Sequence, residues 1–132
     1  MLVIYIDSSV ALAYLLAESR APPAALWDSE LVSSRLLEYE VWNRIHARRL
    51  GGSLGEETRA LISGIELIDL SEPVLARALE PWPTEIRTLD ALHLATVEHL
   101  RSLGGSIELA SYYARLVDAA RAVCPNSGAV IV

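Results

Sequence analysis

The chain has 132 residues, a net charge of −6 and a hydrophobic content of 52%. A chain of this size forms one domain with a substantial core, and its apolar content excludes a disordered protein. Its longest strictly apolar run, residues 10–17, is too short to span a bilayer, and its acidic balance does not indicate a nucleic-acid-binding surface.

Two features predict a cytoplasmic protein without membrane association. Met1 is followed directly by apolar residues and no basic leader, so we expect no secretory signal. The single cysteine, Cys124, has no partner for an internal disulfide, which fits a reducing compartment. We expect Cys124 to pack as a small apolar side chain.

The stretch 2–9 organises the rest of the chain. Its unalternating apolar run predicts a strand buried on both faces, as in a parallel sheet. Asp7 follows that strand directly, and Ser8 or Ser9 can cap the helix that comes next. Ligands of open α/β sheets bind at the carboxyl ends of the strands, so Asp7 is a candidate functional carboxylate. The alternative is that Asp7 only helps to cap the helix.

Strand and helix patterns alternate along the chain. Short apolar or alternating runs predict strands over residues 2–6, 31–33, 65–70, 106–111 and 128–132. Runs bounded by glycine, proline or capping residues predict helices over residues 9–18, 24–28, 34–50, 55–65, 71–80, 84–103 and 112–123. We expect the Gly51-Gly52 pair to stop the third helix and Thr84 to cap the sixth. This alternation implies right-handed crossovers and a parallel sheet covered by helices.

Glu40 is the first acidic residue on the margin of an apolar helix face. It adjoins the stripe formed by Leu37, Val41 and Ile45, so it is expected to border the core. The alternative is an exposed ion pair with Arg44 at i+4, which contributes only about 0.3–0.5 kcal/mol. Glu40 is therefore a second candidate functional carboxylate.

Asp90 also lies next to an apolar stripe, inside the helix predicted over 84–103. Aspartate is a poor residue for a helix interior, so its presence there needs a reason. The functional reason is a third carboxylate of a shared site. The alternative is a side-chain bond to His93 or to a neighbouring helix end. We expect His93 itself to be a buried, hydrogen-bonded histidine rather than a metal ligand.

Four segments, taken in order, resemble PIN-domain ribonucleases and specifically the VapC-type toxins of bacterial toxin–antitoxin pairs. They are Ile-Tyr-Ile-Asp-Ser-Ser (4–9), Ser-Arg-Leu-Leu-Glu-Tyr-Glu-Val (34–41), Leu-Asp-Ala-Leu-His-Leu-Ala (89–95) and Ala-Ser-Tyr-Tyr-Ala-Arg-Leu (110–116). The third segment is fairly specific, whereas the first is not. The resemblance covers the whole chain and implies a single PIN-like domain over residues 1–132. Its fold would be α/β, a three-layer α/β/α sandwich with a mostly parallel central sheet.

The resemblance also implies an activity and partners. Asp7, Glu40 and Asp90 would be the catalytic residues and would hold Mg²⁺ or Mn²⁺, ions that prefer oxygen ligands. The cation would relieve the repulsion among three clustered carboxylates. The chain would then be an endoribonuclease that leaves 5′-phosphate and 3′-hydroxyl ends. A VapB-type antitoxin would neutralise it, and it would form a homodimer.

One position departs from the family pattern. The last segment usually supplies a fourth acid two residues after a Thr or Ser, but Tyr113 stands there, after Ser111. Asp118 is more than one helical turn further on, so we do not expect it to substitute. The predicted supporting residues of the site are Ser8, Ser111 and Tyr113. The activity is therefore expected to be weak or absent, and the alternative is a catalytically silent PIN domain that binds RNA or an antitoxin only.

RNA binding by an acidic chain requires local positive charge. All eleven basic residues are arginines, and Arg44 and Arg87 are the candidates nearest to the acidic residues. Arg48 and Arg49 are further candidates, although surface solvation explains them equally well. The absence of lysine argues against two other acidic-site folds, the response-regulator receiver and the haloacid-dehalogenase phosphatase. The second also needs an acid where Ser9 stands.

Overall fold

The structure is a computed structural model that describes residues 3–123 and the backbone of residues 129–131. The described residues form one five-stranded sheet in which every pairing is parallel, with the strand order β3-β2-β1-β4-β5. The strands are β1 (Val3–Ile6), β2 (Glu30–Ser34), β3 (Glu66–Ile68), β4 (Ile107–Ser111) and β5 (Ala129–Ile131). The expectation for Cys124 lies outside the described residues.

The connections between strands are helical. The described part of the chain contains a 3₁₀ turn at Ala24–Asp28 and six α-helices. These are α1 (Ser8–Leu15), α2 (Leu36–Ala47), α3 (Gly51–Ser63), α4 (Glu72–Ala78), α5 (Thr88–Ser102) and α6 (Ala114–Val123). None of the described helices combines the length and the apolar character needed to cross a membrane.

The two faces of the sheet bury separate cores. Ile4 and Ile6 of β1 pack with apolar residues of α1, α2 and α3. Tyr5, which points to the other face, packs with residues of α5 and α6. Because successive side chains of a strand point to opposite faces, an unbroken apolar strand is what a helix-covered parallel sheet requires. The predicted three-layer α/β/α sandwich is thereby confirmed.

The predicted start of α5 is wrong. Thr84 does not cap this helix, which begins at Thr88 after an extended Arg87. Trp82 and Ile86 pack against the core on the α5 side, and this packing holds the preceding segment out of the helix. Asp90 therefore lies in the first turn of α5 and not in its interior.

The predicted boundary between α2 and α3 is also wrong. Arg49 adopts a left-handed conformation with φ of 57° and ends the turn after α2, and Gly51 and Gly52 begin α3 instead of stopping α2. A Cβ atom at Gly51 would lie 3.2 Å from Nδ1 of His46. Glycine is suited to this position because the imidazole packs so close to the backbone.

Candidate active site

Asp7 lies at the carboxyl end of the central strand and is only 1% exposed. It is the N-cap of α1, so the expected cap by Ser8 or Ser9 is wrong. Oδ1 accepts hydrogen bonds from the backbone N–H of Ser9 at 3.1 Å and of Val10 at 3.3 Å. Burial raises the pKa of the Asp7 carboxyl, and the hydrogen bonds from Ser111 and Ser9 oppose that rise only in part.

Serine side chains connect Asp7 to the end of β4. The Ser9 hydroxyl donates to Oδ1 of Asp7, and the Ser111 hydroxyl donates to Oδ2. Ser9 Oγ in turn accepts from the backbone N–H of Tyr112 at 2.8 Å. The tips of β1 and β4 are neighbours in the sheet, so these bonds fix the Asp7 carboxylate between them.

Glu40 reaches the same end of the sheet from α2. It does not pair with Arg44; its Oε1 lies 2.6 Å from Nε2 of His93 on α5. His93 is 2% exposed, and its Nδ1 lies 2.6 Å from the hydroxyl of Tyr5. The expectation of a buried, hydrogen-bonded His93 is therefore confirmed, and its partner is Glu40 rather than Asp90.

Asp90 is half-buried in the first turn of α5, where the N-terminal backbone dipoles favour a negative charge. Its carboxylate makes no hydrogen bond to any residue that the structure describes. Burial raises its pKa, the Glu40 carboxylate raises it further, and the charges of His93, Arg115 and Arg87 lower it. A half-buried carboxylate without a hydrogen-bond donor is available to a ligand.

Most of the predicted site residues meet at one open cavity of about 740 Å³. Its lining contains the predicted residues Ser8, Glu40, Arg44, Arg87, Asp90 and Tyr113. Asp7 and Ser111 are buried next to these residues and do not line the cavity themselves. Arg48, Arg49 and Asp118 do not line it either. The carboxylates expected to converge thus lie at the same end of the molecule.

Arg115 also lines the cavity and was not among the residues predicted from the sequence. It follows Tyr113 by two positions, at the start of α6, and its charge lowers the pKa of Asp90. Its place within the matched segment 110–116 was the signal that pointed to it. Arg44, Arg87 and Arg115 are all exposed, and together they outnumber the two carboxylates of the cavity lining. The lining of the cavity is therefore more basic than acidic in a protein with a net charge of −6, and the buried Asp7 carboxyl lies beside it.

Tyr113 occupies the edge of this cavity with a side chain that is 41% exposed. Its backbone N–H donates to Ser111 Oγ at 2.9 Å, so its position depends on the residue that also binds Asp7. Burial raises the pKa of the Tyr113 phenol, and the nearby Asp7 charge raises it further. At neutral pH the position thus supplies a neutral hydroxyl where an acid would supply a charge.

The donor atoms of the site have the chemistry that a divalent cation requires, but three of its carboxylates are not arranged around one point. Carboxylate oxygens are the ligands that Mg²⁺ and Mn²⁺ prefer, and Glu40 and Asp90 have oxygens without hydrogen-bond partners among the described residues. No group of three or more His, Cys, Asp or Glu residues within that part of the chain is arranged to hold a metal ion. Because Asp7 is buried, its contact with a cation requires a local rearrangement.

Comparisons with known proteins identify the family of this chain. The PIN domain model matches residues 4–103. Ribonuclease VapC46 of Mycobacterium tuberculosis is 37% identical over 125 residues, which cover 92% of this chain and 92% of that protein. Ribonuclease VapC47 of the same species is 29% identical over 105 residues, which cover 74% of this chain and 76% of that protein.

A solved structure shares the fold. A toxin–antitoxin complex from Klebsiella pneumoniae has a chain that superposes with a TM-score of 0.63 at 17% identity, covering 97% of this chain and 96% of that one. The parallel sheet order, the acidic residues at its carboxyl end and these matches lead to one conclusion. The chain belongs to the PIN-domain family, in its VapC-type group.

Proposed function

We propose that this chain is a VapC-type toxin, an endoribonuclease that hydrolyses RNA phosphodiester bonds with the help of Mg²⁺ or Mn²⁺. The observation that carries the proposal is the cavity in which Glu40 and Asp90 lie beside three arginines, next to the buried Asp7. The curated relatives that match across most of this chain are named ribonucleases. RNA as the substrate fits the positive lining of the cavity.

The acidic and the basic side chains of the site have different proposed roles. Glu40, Asp90 and, after local movement, Asp7 would hold the cation, which supplies positive charge to the phosphodiester as it breaks. Arg44, Arg87 and Arg115 are too exposed to be structural ion pairs of the core and are free to contact phosphates.

Tyr113 limits the proposed activity. Two cations clamp the attacking and leaving oxygens in two-metal nucleases, and a neutral phenol at the position of the fourth acid weakens any second cation site. We therefore propose a weakened enzyme in which Asp7, Glu40 and Asp90 hold one cation.

A second candidate function rests on the same residue. The three arginines of the cavity lining and the neutral Tyr113 favour a catalytically silent domain that binds RNA, or an antitoxin only, without cleaving the RNA.

We propose the partners of this chain from its membership of the VapC-type group. A VapB-type antitoxin would neutralise the toxin in the cytoplasm, where its RNA substrate is found, and the toxin itself would be a homodimer. Large apolar side chains such as Tyr39, Leu79 and Leu103 are exposed at 66%, 90% and 72%, and they offer area for protein contacts. Light scattering after size-exclusion chromatography measures the mass of the free chain, and a monomer at micromolar concentration would contradict the homodimer.

The test is cleavage of a labelled RNA with Mn²⁺, with Mg²⁺ and with a chelator. We expect slow cleavage that both cations support and that the chelator stops. The Asp90→Asn variant should lose this cleavage, because it removes a charged ligand of the cation. The matched control is Asp118→Asn, which changes an exposed acid outside the cavity and should cleave like the original chain. RNA binding without any cation-dependent cleavage would favour the silent alternative.

A further inference from the structure

A chain of hydrogen bonds runs from the end of β2 to Glu40. The backbone N–H of Ser34 donates to the Tyr5 hydroxyl at 3.1 Å. That hydroxyl lies 2.6 Å from Nδ1 of His93, and Nε2 of His93 lies 2.6 Å from Oε1 of Glu40. Tyr5 is 0% exposed and His93 is 2% exposed, so solvent does not compete with the bond between them, whereas the Glu40 end borders the cavity.

The direction of donation at the Glu40 end follows from the chemistry of the two groups. A carboxylate oxygen accepts, so Nε2 of His93 carries the hydrogen of this bond and donates it to Oε1 of Glu40. At the other end, the Tyr5 hydroxyl accepts the Ser34 N–H, and its further partners include Nδ1 of His93 and the side chains of Ser33 and Thr96.

This arrangement restrains a side chain that is otherwise flexible. Glu40 belongs to α2, which packs on the face of the sheet opposite to α5, the helix of His93. The bond to His93 occupies Oε1, while Oε2 makes no hydrogen bond to any described residue and Glu40 lines the cavity. A carboxylate fixed through one oxygen presents the other in a constant direction.

We propose that His93 is a positioning residue, whose Nε2–H holds Oε1 of Glu40 and thereby orients Oε2 toward a divalent cation in the cavity. The proposal rests on the proposed function, because it assigns the bond a purpose in cation binding. His93 is not itself a ligand, since both of its ring nitrogens are occupied. Loss of such an outer partner typically lowers metal affinity about 10- to 100-fold.

Two variants of similar size separate positioning from packing. His93→Gln places an amide donor near the position of Nε2, whereas His93→Leu removes every donor. Calorimetric titration with Mn²⁺ should show a loss of affinity of about 10- to 100-fold for His93→Leu and substantial rescue in His93→Gln. When Glu40→Ala is already present, His93→Leu should cause no further loss, because the carboxylate that it positions is gone. Thermal unfolding of each variant reports whether the fold is retained.

Nitrogen NMR of the metal-free original chain shows which ring nitrogens of His93 carry a hydrogen, and this test needs no variant. We expect a protonated Nε2, because it donates to Oε1 of Glu40. An unprotonated Nε2, or an affinity loss from His93→Leu that persists undiminished beside Glu40→Ala, would overturn the proposal.

Failure of the proposed function has a different signature. A chain that binds no Mn²⁺ but keeps the proton on Nε2 would contradict the metal-dependent activity, while the hydrogen-bonded restraint of Glu40 would still be supported.

Discussion

The Ser111 hydroxyl at the end of β4 donates a hydrogen bond to Oδ2 of Asp7 at the end of β1. The two residues are 104 positions apart in the sequence, and the parallel pairing of their strands brings them together. Both side chains are buried, with exposures of 1% for Asp7 and 0% for Ser111. A carboxylate is thus held in a position where its charge is poorly solvated, and this has consequences for stability.

Asp7→Asn should stabilise the metal-free chain at neutral pH relative to the original chain. The folded-state pKa of Asp7 is raised from 3.8. Its contribution to stability is therefore fully present below the unfolded pKa and is lost as the pH rises through the folded pKa. Asparagine carries no charge and is also a good N-cap. Urea unfolding is measured in chelator from about pH 4, near the ordinary Asp pKa of about 3.9, to about pH 8. The difference in unfolding free energy between Asp7→Asn and the original chain should grow with pH over this range.

The control for this comparison is Asp118→Asn, because Asp118 is exposed on α6. Its unfolding free energy should follow that of the original chain at every pH. An Asp7→Asn variant that is less stable by an amount independent of pH would contradict the argument. Mn²⁺ should stabilise the original chain and have little effect on Asp7→Asn.

Tyr113→Asp should increase Mn²⁺-dependent RNA cleavage by about tenfold or more, because a carboxylate there strengthens a second cation site and such clamps contribute several kcal/mol. The measurement is the initial cleavage rate of a fluorogenic RNA at several Mn²⁺ concentrations. Tyr113→Phe is the matched control, since it keeps the ring and adds no charge, and it should cleave like the original chain. Equal rates for Tyr113→Asp and Tyr113→Phe would show that Tyr113 does not limit the activity.

Arg115→Ala should weaken RNA binding and flatten its salt dependence. If Arg115 contacts one phosphate, its removal should reduce the slope of log K against log salt by about 0.7 for a single strand. Fluorescence anisotropy of a labelled RNA in chelator, at a series of salt concentrations, measures that slope without cleavage.

The control for Arg115 is Arg59→Ala. The Arg59 guanidinium lies over the ring of Trp42, 5.9 Å from its centroid, and does not line the cavity. Its removal should leave the salt slope unchanged. Equal slopes for all three proteins would place the phosphate contacts away from Arg115.

Local chemistry was sufficient to predict the layers of the fold. The apolar run before Asp7 could only be buried on both faces, and its end in a carboxylate followed by serines determined where the first helix begins. The alternation of strands and helices then led to a parallel sheet with helices on both faces. These inferences succeed because each uses only residues that are close together in the sequence.

Tertiary packing decided the arrangement of the site. The start of α5 moved to Thr88 because Trp82 and Ile86 are held against the core, and this shift placed Asp90 in the first turn. Local spacing gave Arg44 as the alternative partner of Glu40, but the observed partner is His93, 53 residues away. Burial sets the pKa of Asp7, and burial exists only after the whole chain has folded. The sequence by itself therefore named most of the candidate residues of the site, while only the folded structure determined their partners and their charge environment.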